Sequence, residues 1–380
     1  MQWSRGAVMD TQIVGSRRTE PTRTHGTAGL PQQTTAEWQQ TVRARVLAEL
    51  AEFVQQRSVE SAVRPAVQHV LWQYVGGGKC VRSAFMYAGW LCGATEADTA
   101  LRASAALELL HAFALLQDDV MDESARRRGE PTAHRRLADR HQRNGLPGCP
   151  RRFGESAATL LGDICLIWAE QMLRESGMDE SALARVRPHY DRMRIELAMG
   201  QFADLSNDIR STPTLDGVLA IARAKSGDYT VKWPLVLGAA MADCDRHVTV
   251  ALSDYGRSIG EAFQLRDDIL GVYGLPEVTG KPDNDIAQHK ASTLIVAAME
   301  MAGSRLHREL YSLLQAPTLG ISEVARVRAL ITATGAPARI EAMIDNRVTE
   351  ARHALAAAPL ADDRRQLLDG MAARCTVREF

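Results

Sequence analysis

The stretch EADTALRASAALELLHAFALLQDDVMDE, Glu96 to Glu123, runs without glycine or proline and closes on Asp118, Asp119 and Asp122. At about 1.5 Å per residue it predicts one helix long enough to cross a domain, with Thr95 and Asp98 as its start signal. On that helix Asp118 and Asp122 fall at i and i+4 and Asp119 lies one turn from Asp122, so the three carboxylates face a common volume. A second helical run, 246 to 270, ends in Asp267 and Asp268, with Gly256 and Gly260 one turn apart where another helix can approach closely. Two long helices thus deliver acids to the same end of a bundle. Facing carboxylates repel unless cations intervene. Oxygen-only ligands select hard ions such as Mg2+, which shares its remaining coordination with phosphate oxygens. The pattern predicts a metal and diphosphate site.

From Thr35 onward helical periodicity follows helical periodicity, and few stretches alternate as strands do, so the expected fold is all-α. Further helices are expected over 37–58, 62–74, 79–92, 155–176, 180–206, 214–224, 228–242, 291–315, 321–333 and 337–373, the last broken near Pro359. Residues 126 to 152 carry nine arginines against two acids. Gly145, Pro147, Gly148 and Pro150 mark this segment as a loop. Residues 1–36 are polar and without apolar period, which predicts a disordered tail ahead of a single domain over 37–380.

An apolar share of 46% is ample for a large core, and a net charge of -1 gives no support to nucleic-acid or membrane-surface binding. Six scattered cysteines without CxxC spacing indicate neither a zinc site nor a disulfide framework, and point to the reducing cytoplasm. No uninterrupted apolar run approaches the roughly 18 residues of a membrane span.

Cations stand beside the acids. Gly76-Gly77-Gly78-Lys79-Cys80-Val81-Arg82 is a glycine turn leading two cations into a helix start, where backbone amides and the positive helix end suit an anion. A nucleotide P-loop would need glycine at Gln73 and Ser or Thr at Cys80. Arg126-Arg127-Arg128-Gly129 follows the first acids directly, with guanidinium forks that match phosphate oxygens. Taken singly, a glycine turn is more often an ordinary helix start, an arginine run a solvated loop, and His111 a satisfied core histidine. The later half adds Gly200-Gln201, Asp204, Lys225-Ser226, Phe263-Gln264-Leu265-Arg266-Asp267-Asp268, Gly280-Lys281-Pro282, Asp285 and Lys290.

With these residues assembled, the chain from about 40 to 375 resembles the trans-isoprenyl diphosphate synthases, or polyprenyl synthetases. The resemblance rests on the ordered set above together with Glu108-Leu109-Leu110-His111 and Gly162-Asp163. It implies a single bundle of about 10–13 helices around a central cavity, working as a homodimer. It also implies three Mg2+ ions held by Asp118, Asp122 and Asp267, with Asp119 and Asp268 in support. Arg127, Lys225 and Lys281 match positions that bind the diphosphate of an allylic substrate, and Lys290 is expected beside them. Lys79, Arg82, His111 and Arg128 match the positions that hold isopentenyl diphosphate. Ser226 and Gln264 belong to the same substrate pocket, and Gln201, Asp204 and Asp285 match supporting positions. Three residues depart from the pattern. Gly271 stands where the second acid motif often has a third Asp, Gln117 replaces a common His, and Leu275 a frequent Asp.

The implied reaction joins isopentenyl diphosphate to an allylic diphosphate. Residues on the helix before Asp118 are expected to line the tunnel for the growing tail, with Leu110, Phe113 and Ala114 as the ruler. An aromatic residue at 113 beside a small one at 114 resembles short-chain enzymes, notably prokaryotic geranylgeranyl diphosphate synthases, with farnesyl diphosphate the nearest competing product. A class I terpene cyclase is the rival chemistry. Its second metal motif fails here, because Asn207-Asp208-Ile209-Arg210-Ser211 has Leu215 where Glu is needed and Pro213 interrupts. A catalytically silent subunit would be expected to lose site residues that this chain keeps.

Overall fold

Thr34 opens the first helix with a reciprocal cap: its hydroxyl accepts from the Glu37 amide at 3.3 Å, and the Glu37 carboxylate takes the Thr34 amide at 2.9 Å. This capping box starts α1 (Thr35–Gln56) two residues before the expected position, since the cap rather than the apolar period sets the first turn. The structure is a computed structural model describing residues 34–57, 64–207, 213–274 and 285–377. Residues 1–33 of the expected tail, and Lys281, lie outside the described residues.

The chain continues through α2 (Arg64–Val75), α3 (Val81–Leu91), α4 (Asp98–Met121), a hairpin of β1 (Arg126–Arg127) and β2 (Glu130–Pro131), α5 (Ala133–Arg143), α6 (Pro150–Arg174) and α7 (Glu180–Leu205). Then come α8 (Leu215–Ala222), a wide π-helical stretch (Arg223–Lys232), α9 (Trp233–Met241) and α10 (Arg246–Tyr273). The remainder is α11 (Thr293–Met301), α12 (Ser304–Leu314), α13 (Ile321–Thr334), α14 (Ala336–Ala356) and α15 (Asp362–Thr376). The fold is all-α, as expected.

Four boundaries differ from expectation for visible reasons. α4 starts at Asp98, because the Thr95 carbonyl is taken by Trp90 Nε1 at 2.7 Å and Asp98 is tied to Arg45 at 2.7 Å. The run 291–315 splits at Ala302 and Gly303, both extended. The expected helix 228–242 is π-wound as far as Lys232. Finally, the arginine-rich 126–152 is not one loop but a hairpin, a helix and a short Gly/Pro connection.

α4 is the spine of the first half and packs against α1, α2, α3 and α6. Leu101, Ala105, Leu107, Leu109 and Leu110 are all at most 1% exposed, so it is apolar around most of its circumference, as a central helix must be. It is also the one helix among the described residues long and apolar enough to cross a membrane, contrary to the expectation of none. With 67% of the apolar stretch buried inside the bundle, its composition is accounted for as core. Truncating Leu107 or Leu110 to Ala would cost about 2–5 kcal/mol.

α10 is the spine of the second half, between the π stretch and α14. The paired glycines act as the sequence predicted. A Cβ on Gly256 would lie 2.5 Å from Lys232 Cα, and one on Gly260 would run into the Gly227 backbone. The π stretch can therefore press against α10. On another face Leu265, Ile269 and Val272 enter a core with Ile295, Val327, Ile331 and Ile340. Arg266 grips Glu341 with two bonds of 2.6 and 2.7 Å and the Thr376 carbonyl at 2.7 Å. These contacts fix the rotation of α10 and hence the direction in which Asp267 and Asp268 leave it.

Candidate active site

The hairpin after α4 separates two adjacent arginines. Its two turn residues, Arg128 (φ 53°) and Gly129 (φ 79°), both have positive φ, the signature of a tight two-residue turn that follows strand twist. Arg127 pairs with Glu130 across it. Arg127 therefore turns to the acids and Arg128 to the glycine turn.

Arg127 Nε lies 2.9 Å from both oxygens of Asp119, and its Nη2 lies 2.7 Å from Asp119 and 3.2 Å from Asp118. Asp119 is only 1% exposed and also accepts from the Tyr74 hydroxyl at 2.7 Å. Its lone pairs are thus taken up by Arg127 and Tyr74. Lys225 spans Asp118 at 3.0 Å and Asp204 at 2.6 Å, and Lys290 reaches Asp122 at 2.8 Å. Gln201 adds a long contact to Asp118 at 3.4 Å. Burial works against ionisation of Asp118, but Lys225, Arg127 and Lys290 outweigh it and hold its carboxyl at about 2. Burial likewise opposes charge on Lys225 and Lys290, and the facing carboxylates raise both instead.

Lys225 owes its reach to backbone packing. A Cβ on Gly200 of α7 would lie 2.5 Å from Lys225 N, so glycine alone lets α7 approach the π stretch this closely. Ser226 follows it, half-buried on the same stretch.

The second cluster is held differently. Asp268 is 7% exposed and accepts from Gln264 Nε2 at 2.8 Å, from the Thr293 amide at 2.8 Å and from the Thr293 hydroxyl. Burial pushes its carboxyl up to about 6, with the charge of Asp285 adding to the rise against these donors. Asp268 is thus buried in the wall and held by neutral donors.

A separate group of cations gathers at the turn between α2 and α3. Arg128 Nη1 donates to the Gln73 carbonyl at 3.2 Å and lies across Gly77, where a Cβ would come within 2.5 Å of it. Arg43, which the sequence reading did not single out, donates to the Gly78 carbonyl at 2.8 Å. Arg82 donates to Thr230 at 2.9 Å and stacks over the Tyr229 ring at 4.5 Å, and His111 stands 6.3 Å from the same ring. Two buried nitrogens here, Arg82 Nε and His111 Nδ1, have no protein partner. Burial first, then Arg82, Arg128 and Arg127, keep His111 well below its usual value, so it is neutral. Lys79 is exposed at the lip of the turn.

Among the described residues no three ligating side chains already converge on one point. The first cluster nevertheless fits a hard cation: its donors are carboxylate oxygens at i and i+4, and Lys225 and Lys290 already place positive charge on Asp118 and Asp122. In the expected ruler, Phe113 and Ala114 are half-buried, whereas Leu110 is fully buried at 0%. Tyr74, Thr293 and Arg43 were missed because each acts through a partner 45, 25 or 35 residues away. Gln117, in place of a common His, turns to α6 and donates to the Thr159 carbonyl at 3.4 Å.

The polyprenyl synthetase family profile matches residues 64–331. The chain belongs to that family. This polyprenyl synthetase is 35% identical over 281 residues to the geranylgeranyl diphosphate synthase of Mycobacterium tuberculosis, an overlap of 73% of this chain and 75% of that protein. It is 32% identical over 285 residues to a (2E,6E)-farnesyl diphosphate synthase of Mycobacterium bovis, covering 72% and 74%. Its fold matches the crystal structure of a Corynebacterium glutamicum geranylgeranyl pyrophosphate synthase, complexed with isoprenyl diphosphate and magnesium. That match has a TM-score of 0.84 at 33% identity, over 91% of this chain and all of that one. This polyprenyl synthetase is accordingly an enzyme of the prenyl-transfer class, in the short-chain trans branch.

Proposed function

We propose that the enzyme condenses isopentenyl diphosphate with an allylic diphosphate and releases geranylgeranyl diphosphate. The observation that carries this reading is the division of cations into two sets by the Arg127–Arg128 turn. One set meets the aspartates and the other the glycine turn, which suits two diphosphates held side by side. A cyclase ionises one diphosphate and has no use for the second set.

Magnesium bound by Asp118, Asp122 and Asp267 would stabilise negative charge on the leaving diphosphate. Arg127, Lys225 and Lys290 are preplaced for the same charge, with Lys281 the fourth expected cation. The allylic carbon–oxygen bond breaks and its electron pair leaves with the diphosphate. Lys79, Arg82, Arg128 and neutral His111 hold isopentenyl diphosphate alongside, His111 as a hydrogen-bond partner rather than a charge. Its double bond attacks the allyl cation, and a proton passes to the released diphosphate, leaving a chain five carbons longer. Phe113, Ala114 and their neighbours keep the cation from water.

Twenty carbons rest on the Phe113–Ala114 pair and on relatives of that specificity, and the farnesyl relative makes fifteen the competing length. Incubation with Mg2+, isopentenyl diphosphate and, in turn, dimethylallyl, geranyl or farnesyl diphosphate, followed by mass analysis, tests the reading. A C20 diphosphate is expected, and a cyclised hydrocarbon or no elongation overturns it.

The working unit is proposed to be a homodimer of the 37–380 domain. Phe153, Leu160 and Ile167 repeat every seven residues on α6 at 41, 62 and 63% exposure, and Ile195, Met199 and Phe202, four and three residues apart, share a face of α7 at 64, 62 and 70%. Such stripes suit burial against a second copy, and six scattered cysteines without CxxC spacing suit the cytoplasm.

A further inference from the structure

We infer that the cleft between α7, the π stretch, α10 and α14 is a second ligand site, shaped for a phosphate head on an apolar body, and that an occupant acts on turnover through the π stretch. It lies apart from both cation sets described above.

The cleft encloses about 740 Å3, within the roughly 300–1,000 Å3 of small-molecule sites. Five cations and four acids line it, and the acids are all engaged in its wall. Glu261, with its side chain 5% exposed, accepts from Arg223 Nη2 at 3.0 Å and from Arg347 Nε at 2.9 Å, so two guanidiniums share one carboxylate. Glu350 takes Arg347 Nη1 at 2.9 Å, and Asp228 is covered by Lys232 at 2.8 Å. Glu196 accepts from Arg192 Nε and from Trp233 Nε1, both at 2.8 Å. Arg257 has only a 3.9 Å ion pair with Asp254 among the described residues, and Arg223 Nε is buried without a protein partner. The cleft therefore presents guanidinium edges, whose paired N–H donors match a phosphate. Beside them Ala203, Ala220, Ile221 and Ala224 offer only apolar side chains. A bare anion would leave that part unfilled.

The π stretch is the wall between this cleft and the active site. Ala224 and Asp228 line the cleft, whereas the residues that follow them, Lys225 and Tyr229, meet Asp118 at 3.0 Å and the Arg82 guanidinium at 4.5 Å. A second, smaller void beside Arg223 and Glu261 reaches Gln264 and Thr293, the donors that hold Asp268. An anion that draws Arg223 away from Glu261 therefore disturbs a wall shared with Lys225, Tyr229 and the support of Asp268.

The test is alkylation of the Ser258→Cys enzyme by iodoacetamide, read peptide by peptide in a mass spectrometer, an assay that needs no turnover. Ser258 lines the cleft, and the exposed Cys149, outside it, is the internal control. Octyl phosphate at ten times its dissociation constant is expected to slow alkylation at position 258 about tenfold and to leave Cys149 unchanged. Inorganic phosphate at the same concentration should protect far less. Adding Arg192→Ala and Arg257→Ala, whose side chains are 69 and 50% exposed and whose loss the fold should tolerate, is expected to weaken binding about tenfold or more. At saturating substrates octyl phosphate should change the kcat of the wild-type chain at least about fivefold, and the Arg192→Ala/Arg257→Ala enzyme should resist it. No protection at position 258, or protection that survives loss of both arginines, overturns the site. Equal protection by inorganic phosphate overturns the apolar body, and protection with kcat unchanged overturns the action through the π stretch.

Discussion

Asp118, Asp119 and Asp122 each meet a cation of this chain, whereas Asp268 is held by the neutral donors of Gln264 and Thr293. Their acidities part accordingly, with Asp118 held at about 2 and Asp268 raised to about 6. A fold can keep acids at the end of a buried helix in two ways. It can neutralise them with Lys and Arg, which costs desolvation of both partners, or satisfy their lone pairs and accept a weaker acid. The first way stores cations where a leaving diphosphate needs them. The second provides a rigid wall.

The contrast can be broken most severely at Asp118. Replacement by Ala removes the group shared by Lys225 and Arg127, and the turnover number is expected to fall about a thousandfold or more. Asp267→Ala should lose Mg2+-dependent turnover on a similar scale, and retention within tenfold in steady-state assays would refute the metal assignment. Arg127→Ala strikes stability, since it leaves Asp119 buried with only Tyr74. A loss of about 3–5 kcal/mol is expected in chemical denaturation. Arg128→Ala should instead raise KM for isopentenyl diphosphate about 10–100-fold, with KM for the allylic substrate nearly unchanged. Equal effects on both substrates would erase the proposed division of the two arginines.

Smaller effects sharpen the comparison. Thr293→Val removes one of three donors to Asp268 and should cost about 1–2 kcal/mol, well below Arg127→Ala. Acidity gives the two clusters opposite signs. The folded-state value of Asp118 lies below its ordinary 3.8, so the stability it contributes is full above about 4 and lost as pH falls toward 2. The value of Asp268 is raised from 3.8 to about 6, so its contribution is full below about 4 and lost as pH rises through 6. Melting curves of metal-free wild type against Asp118→Asn and Asp268→Asn should therefore diverge in opposite directions of pH. Parallel curves would mean that the two environments do not differ as described.

Much of the site was legible because its chemistry is local. Asp118 and Asp122 declare a shared face by spacing alone, and Gly256 and Gly260 announce a close approach that the π stretch makes. The capping box of Thr34 and Glu37 was equally legible, and the apolar period masked it. The arginine-rich segment misled because charge and glycine content suggest a loop, while Arg128 and Gly129 fold a tight hairpin and Ala133–Arg143 a helix. Tyr74 and Arg43 look like ordinary core and surface residues until the chain closes around Asp119 and Gly78.

The all-α class, the two acid-bearing helices, the inventory of cations and the polyprenyl synthetase family follow from residue type and near spacing alone. Which cation serves which acid is set by packing. Arg127 and Arg128 are neighbours in the chain, yet a turn with two positive φ angles sends them to different groups. Asp285 is fourteen residues from Gly271, yet its carboxylate fills the space that glycine leaves. Pairings of this kind depend on distances that exist only after packing, when burial has raised the cost of every charge left without a partner.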